Sequence, residues 1–299
     1  MTAPAGAERR EVGGLETIAV RDLGDWARGG AAAERFAGAL RAGLEDTGFV
    51  AVEGHGVDAE TIESAYEAFA RFFALPEAAK RACVAGEGGA RGHTPYGREH
   101  AKDASVADLK EFFHVGRERY APNVWPREIP ELAARALALY DALDRGGARL
   151  LEALEHGYAL EPGTLSDMVR DGNSVLRALH YPPLPASIEP GALRAAPHED
   201  INLITLLCEA SDAGLEILGR DGRWLPVEAP PGRIVVDAGD MLCRVTGGVV
   251  PATTHRVVNP ASCDDRERYS LPFFAHPRPE CSLRVLERFA SPERLAAYP

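Results

Sequence analysis

Along the first half of the chain, apolar positions recur mostly at helical spacing. Thr17 to Val20 is a short apolar-leaning stretch, and an alanine-rich segment then carries Phe36, Leu40 and Leu44 on one face, which predicts a strand followed by an amphipathic helix. The helix should stop near Asp46 to Gly48, because Gly48 precedes FVAVEGHG, whose Phe49, Val50 and Val52 suit a strand. A second helix is predicted from about Asp58: Ile62, Tyr66, Phe69 and Phe73 share a face, and Pro76 ends the pattern. From Gly86 to Tyr120 the chain is rich in glycine, histidine and charge and shows no sustained period, so it reads as a loop with short elements. Long irregular segments in compact proteins are often functional. A further helical region is expected from about Ile129 to His156, interrupted only by Gly146 and Gly147.

From about Asn173 to His276 the texture changes. Short runs such as NLITLL, LEIL, IVVDAG, THRVV and YSLPFF alternate with Pro, Gly and Asp turns, which predicts a sandwich or barrel. The stretch from Ser282 to Pro299 reads as a tail with one short helix around Pro292 to Ala297. The expected organisation is one compact unit: a flexible tail over 1–14, a helical leader over 15–120, helical support over 121–172, a strand-rich core over 173–280 and a C-terminal tail over 281–299.

Composition narrows the function classes. With 299 residues, 45% of them hydrophobic, the chain can bury a large core. A formal charge of −12 and the lack of a basic block argue against nucleic-acid and anionic-membrane partners, which need a cationic face. The start, MTAPAGAERR, lacks the apolar stretch of a signal peptide and no later segment approaches a membrane span, so a cytoplasmic protein is expected. Five scattered cysteines without a CxxC pair suggest neither a disulfide framework nor a zinc knuckle. No heptad run or exposed apolar helix face indicates an oligomeric state.

The chemistry begins in PHEDINLITLL, where His198 and Asp200 stand two apart on a predicted strand and so leave the same face. Alone, such a pair is more readily an exposed strand end with a turn-forming aspartate. His255 in THRVV changes the balance, because a facing strand can supply it as a third ligand. Two imidazoles and one carboxylate suit iron(II), occupying one face of an octahedron and leaving positions for a chelating cosubstrate and dioxygen. A structural zinc site would close its shell instead. Further on, RYSLPFF places Arg268 and Ser270 on one face, with Phe274 along that face if the strand stays regular. A planar guanidinium with a neighbouring hydroxyl forms a carboxylate receptor.

These motifs, in the order HxD, GLEIL, DGRWLPVEAPPGRIVVDAGD, THRVV and RYS, together with DTGFVAVEGHGV and FFALPEAAK upstream, resemble the isopenicillin N synthase-like family of iron(II) and 2-oxoglutarate-dependent oxygenases. The resemblance covers most of the chain. It implies a mixed α/β fold: a double-stranded β-helix, or jelly roll, with helices packed outside and iron at the open mouth. It also implies that Tyr181 of LHYPP hydrogen-bonds 2-oxoglutarate and that Arg177 and Phe274 face the substrate. Two positions depart from the family pattern: Leu179 stands where an asparagine is usual, and Thr246-Gly247-Gly248 replaces the common TNG.

The resemblance therefore implies a dioxygenase that binds Fe(II), 2-oxoglutarate and O2, releases succinate and CO2, and oxidises a small molecule, with hydroxylation as the default outcome. An oxidase of the same family that dispenses with 2-oxoglutarate, or a jelly-roll binding protein without catalysis, would carry similar motifs. Substrate identity should rest on the Gly86 to Tyr120 segment, the C-terminal tail and residues such as Phe112, His114, Arg177 and Phe274. The arginines and histidines near the expected mouth would suit a carboxylate-bearing substrate.

Overall fold

A computed structural model describes residues 18–85, 90–99, 106–185, 187–227, 232–260 and 266–299; the expected tail over 1–14 lies outside them. The chain runs through β1 (Val20–Asp22), α1 (Leu23–Arg28), α2 (Gly30–Thr47), β2 (Phe49–Glu53), α3 (Ala59–Phe73), α4 (Glu77–Arg81), β3 (Gly92–Thr94) and β4 (Glu111–Gly116). Helices α5 (Leu132–Gly157) and α6 (Ser166–Val169) follow. The strand-rich half holds β5 (Val175–Tyr181), β6 (Ala195–His198), β7 (Ile204–Cys208), β8 (Leu215–Leu218), β9 (Trp224–Pro226) and β10 (Ile234–Ala238). Then come α7 (Asp240–Val245), β11 (His255–Val257), β12 (Arg268–Ser270), β13 (Pro272–Ala275) and α8 (Pro292–Ala297).

Several boundaries follow local chemistry. Gly48 adopts φ 74° and closes α2 as a left-handed cap, where a side chain would be strained. Asp58 stands at the N-terminus of α3 and Pro76 at that of α4, so Pro76 separates two helices. Helix α5 passes straight through Gly146 and Gly147, which face Leu206 of β7; packing against the sheet outweighs a propensity cost of about 1 kcal/mol for each glycine.

The two sheets wind as a double-stranded β-helix. The larger has the order β1-β2-β10-β7-β13-β5-β4-β3, with β12 continuing β13 alongside β5, and the smaller has the order β6-β11-β8-β9. From β5 onward the chain alternates between them: β5 large, β6 small, β7 large, β8 and β9 small, β10 large, β11 small, β12 and β13 large. Along the large sheet, alternate residues serve two different cores. Leu206, Val236, Phe273, Leu176, Phe113 and Val50 point outward into the main core beneath α2, α3 and α5. Their neighbours Val235, Ala51 and Phe49, and Phe112, Leu179 and Tyr181, point into the barrel. Burial on both faces explains why IVVDA reads as a continuous apolar run rather than an alternating one.

The structure differs from the sequence-based expectation in two places. The first strand lies at Val20–Asp22, parallel to β2, rather than at Thr17 to Val20. More important, the segment expected to be irregular contains β4, six residues paired in register with β5 from Glu111 opposite His180 to Gly116 opposite Val175. Its polarity concealed it. Glu111 and His180 belong to a buried ionic cluster on the outer face, in which Glu111 accepts hydrogen bonds from Lys80 (2.9 Å), His93 (2.8 Å) and His180 (2.8 Å). Burial opposes ionisation of Glu111, but the donors His180, His93 and Lys80 outweigh it and hold the carboxyl below its usual range. Removing the acceptor from such a cluster leaves buried donors uncompensated, so Glu111→Ala should lower unfolding free energy by about 3–5 kcal/mol, measured by denaturant titration.

Candidate active site

Strands β6 and β11 are neighbours in the small sheet, and His198 stands directly opposite His255 in the antiparallel register. Their rings lie 4.4 Å apart between centroids. His255 was expected on a facing strand; it lies on an adjacent one, which sets the two imidazoles side by side. Asp200 is also placed differently from the expectation, since β6 ends at His198 and Asp200 lies in the turn beyond it. The turn is held by the Asp240 amide donating to the Asp200 carbonyl (2.7 Å) and by the Thr205 hydroxyl donating to the Asp200 carboxylate. Gly239 lies against this turn, and a methyl group there would collide with the Asn202 carbonyl and meet the Asp200 carbonyl at 2.8 Å.

The result is convergent. Asp200 Oδ1 lies 3.8 Å from Nε2 of both His198 and His255, and one ligand atom from each of the three falls within 4.8 Å of the others. Nδ1 of His198 faces the Ala196 carbonyl (2.8 Å) and Nδ1 of His255 the Thr253 carbonyl (3.2 Å). A carbonyl only accepts, so both Nδ1 atoms carry the proton and both Nε2 lone pairs are free for a metal. Burial, reinforced by His255, lowers the His198 pKa and favours the neutral, ligating imidazole. A buried carboxylate plus two such lone pairs is a donor set that fits one divalent cation with one face left open.

Asp237 on β10 was not singled out from the sequence. It is buried, with one oxygen lacking a partner among the described residues and the other 3.8 Å from His255 Nδ1. Burial, and then the charge of Asp200, push its carboxyl well above the usual range. Its only signal in the sequence is an acid inside an apolar run, IVVDAG.

Inside the barrel, Arg268 stands opposite Tyr181 and Ser270 opposite Leu179 on β12 and β5. The register continues unbroken into β13, with Phe273 opposite Leu176, so Phe274 does share the face of Arg268 and Ser270 as expected. The Arg268 side chain is only 1% exposed; its Nε donates to the Asp212 carbonyl (3.0 Å), its guanidinium sits 5.0 Å from the Tyr181 ring centroid, and its Nη1 has no partner among the described residues. A buried guanidinium nitrogen without a partner is costly, and an anionic ligand is what would compensate it. Ser270 and Tyr181 are equally enclosed. Leu179, at the usual asparagine position, packs with Phe112, Tyr181, Ala195 and Val257, so that wall of the barrel is apolar here.

The remaining expected residues also meet. Arg177 donates from Nε to His114 Nε2 (2.6 Å) and lies over the rings of Phe112 (4.4 Å) and Phe274 (5.2 Å). Glu99 and Lys110, missed in the sequence, complete this wall: Glu99 pairs with Arg177 (3.2 Å) and Lys110 (2.7 Å), and Lys110 also with Asp108 (2.7 Å). Burial works to raise the Glu99 carboxyl, but Arg177 and Lys110 outweigh it and hold it at about 2. Glu99 and Lys110 both lie in the segment read as irregular, where no period marked them. Because Thr205 orients the Asp200 carboxylate, Thr205→Val should weaken divalent-metal affinity by roughly 10-fold or more while leaving the fold intact, measured by competition against a metallochromic chelator.

Two family models match the chain. Residues 18–128 match the N-terminal region of non-haem dioxygenases of morphine synthesis, and residues 172–277 match the 2OG-Fe(II) oxygenase superfamily. A 2-oxoglutarate-Fe(II) type oxidoreductase of Metarhizium rileyi is 33% identical over 78% of this chain and 73% of its own length. A 2-oxoglutarate-dependent dioxygenase of Aspergillus niger is 31% identical over 81% and 78%. Among solved structures, a 2OG-Fe(II) oxygenase family protein from Caulobacter crescentus superposes with TM-score 0.84 at 41% identity, covering 94% of this chain and 93% of that one. A full-length Neurospora crassa protein solved in complex with alpha-KG gives TM-score 0.87 at 26% identity, covering 97% and 95%.

A jelly roll with a two-histidine, one-carboxylate cluster and an enclosed guanidinium thus defines the class, and the chain belongs to the 2OG-Fe(II) oxygenase superfamily. It is an Fe(II)- and 2-oxoglutarate-dependent dioxygenase that uses O2. A binding module without catalysis is thereby set aside. No helix among the described residues is long and apolar enough to cross a membrane.

Proposed function

We propose that this dioxygenase hydroxylates a small molecule, with His198, Asp200 and His255 holding Fe(II), Arg268, Ser270 and Tyr181 binding 2-oxoglutarate, and Phe112, His114, Arg177 and Phe274 facing the substrate. The observation that carries the reading is the Nη1 of Arg268, without a partner among the described residues and buried inside the barrel beside Ser270 and Tyr181. When bound, the iron and cosubstrate supply oxidative decarboxylation to succinate and CO2 and the oxidising power for the substrate. The protein's own residues do the rest. Arg268 and Ser270 offer donors to a carboxylate, and the Tyr181 ring covers the guanidinium. The aromatic wall of Phe112 and Phe274 limits where a carbon can approach the open face, which decides position of attack through orientation.

Neighbouring structures support a small-molecule substrate: the same Neurospora crassa protein has been solved with alpha-KG and thymine. The expectation of an acid substrate relied on the arginines and histidines near the mouth, of which Arg177 is one. Glu99 answers that charge and Asp108 shares that of Lys110, so the pocket wall is balanced without an anion.

The test is an anaerobic titration with Fe(II) and then 2-oxoglutarate, watching for the weak visible metal-to-ligand charge-transfer band of a chelated 2-oxo acid. Its appearance supports the assignment. Iron binding without a band at any 2-oxoglutarate concentration defeats it.

A further inference from the structure

Beyond the residues already placed, one polar side chain on the barrel's inner face has no assigned task. His276 follows β13 directly, two residues past Phe274 and in the same alternation. Phe274 stands opposite Thr205, whose hydroxyl holds Asp200, so this end of β13 is the metal-ligand end of the sheet. The His276 amide lies 3.3 Å from the Ser174 hydroxyl, which ties the backbone down. The ring faces the Phe274 carbonyl through Nδ1 at 3.2 Å. The carbonyl can only accept, so the proton sits on Nδ1 and Nε2 presents a lone pair. None of the described residues hydrogen-bonds that nitrogen, and it is not sealed from solvent. Burial lowers the ring's pKa, against the Phe274 carbonyl and the Asp200 charge, which act to raise it, and with Arg177, which acts to lower it.

We propose that His276 is a specificity-determining residue that accepts a hydrogen bond from the substrate, selecting a molecule whose end beside the metal ligands is an uncharged N–H or O–H donor rather than a carboxylate. The inference rests on the dioxygenase reading above. Its electrostatic basis is simple. A carboxylate placed there would face an imidazole lone pair, and Arg177 is already paired with Glu99. An N–H or O–H group would meet an acceptor instead. Arg177 then remains a donor toward a carbonyl or hydroxyl oxygen, so the recognised group is of amide, lactam or alcohol type.

The probes are benzamide and benzoate, matched in shape and differing in charge and donor content. Each is added to the anaerobic protein loaded with Fe(II) and 2-oxoglutarate, and the shift of the charge-transfer band is followed. Benzamide should half-saturate at about tenfold lower concentration than benzoate, the worth of one hydrogen bond of about 1.4 kcal/mol, and His276→Phe should abolish the preference. Equal response, a benzoate preference, a preference that survives in His276→Phe, or no response to either probe overturns the proposal. A second measurement needs no variant: long-range 1H–15N correlation on zinc-loaded protein should show His276 protonated at Nδ1, and protonation at Nε2 overturns it. If the band fails to form before any probe is added, it is the dioxygenase reading that fails.

Discussion

Asp200→Ala should abolish 2-oxoglutarate turnover, lowering it by far more than the roughly 10- to 100-fold that loss of a supporting hydrogen bond costs at a metal site. The physical reason is that Asp200 is the anionic member of the cluster, with an oxygen 3.8 Å from both imidazole Nε2 atoms. Without it, two neutral imidazoles must hold a divalent cation alone. The metal-free variant should be no less stable than metal-free wild type. The Asp200 charge helps to raise the buried Asp237 carboxyl, so removing it eases that acid's burial and offsets the lost hydrogen bond from Thr205. Thermal melts with and without Fe(II) under argon separate the two effects: wild type should gain stability with metal by linkage, and the variant should not. Retained turnover in Asp200→Ala would remove it from the ligand set.

Arg268→Ala carries the second large effect, on a different quantity. Breaking one side of a buried charged pair costs about 3–5 kcal/mol, and each 1.4 kcal/mol is a factor of ten. The 2-oxoglutarate KM should therefore rise by at least about 100-fold in that variant. Iron binding should be unchanged, since Arg268 contacts Asp212 and Tyr181 and none of the three ligands. Steady-state succinate formation over a range of 2-oxoglutarate concentrations, paired with an iron titration, tests this. An unchanged KM would mean that the cosubstrate does not use the guanidinium. Because Nη1 already lacks a partner among the described residues, the variant should lose little folding stability.

Much of this site was legible in the sequence because its members obey local rules. His198, Asp200, Arg268, Ser270 and Phe274 lie in short motifs whose spacing survives in the structure. Arg268, Ser270 and Phe274 remain on one face because β12 and β13 keep a common register along β5, as period-two alternation requires. The helix stop at Gly48 was equally legible, since a left-handed cap is a property of one residue and its neighbours. Asp200 shows the limit of that reasoning: the strand had already ended, and what aims its carboxylate is Thr205 and the packing of Gly239 against the turn.

The chain's own order of residues determined most element types, the apolar faces and the chemical identity of the candidate ligands and clamp, because these depend on periodicity and on side chains a few positions apart. Only the tertiary structure decided that His198 and His255 pair across adjacent strands, that β4 joins the barrel wall, and that Glu99 neutralises Arg177. It also set Asp237 beside His255 and turned Nδ1 of His276 to the Phe274 carbonyl. Each of these depends on contacts between segments far apart in sequence. The charge state and orientation of a buried polar group follow from its neighbours in space, and no local pattern records who those neighbours are.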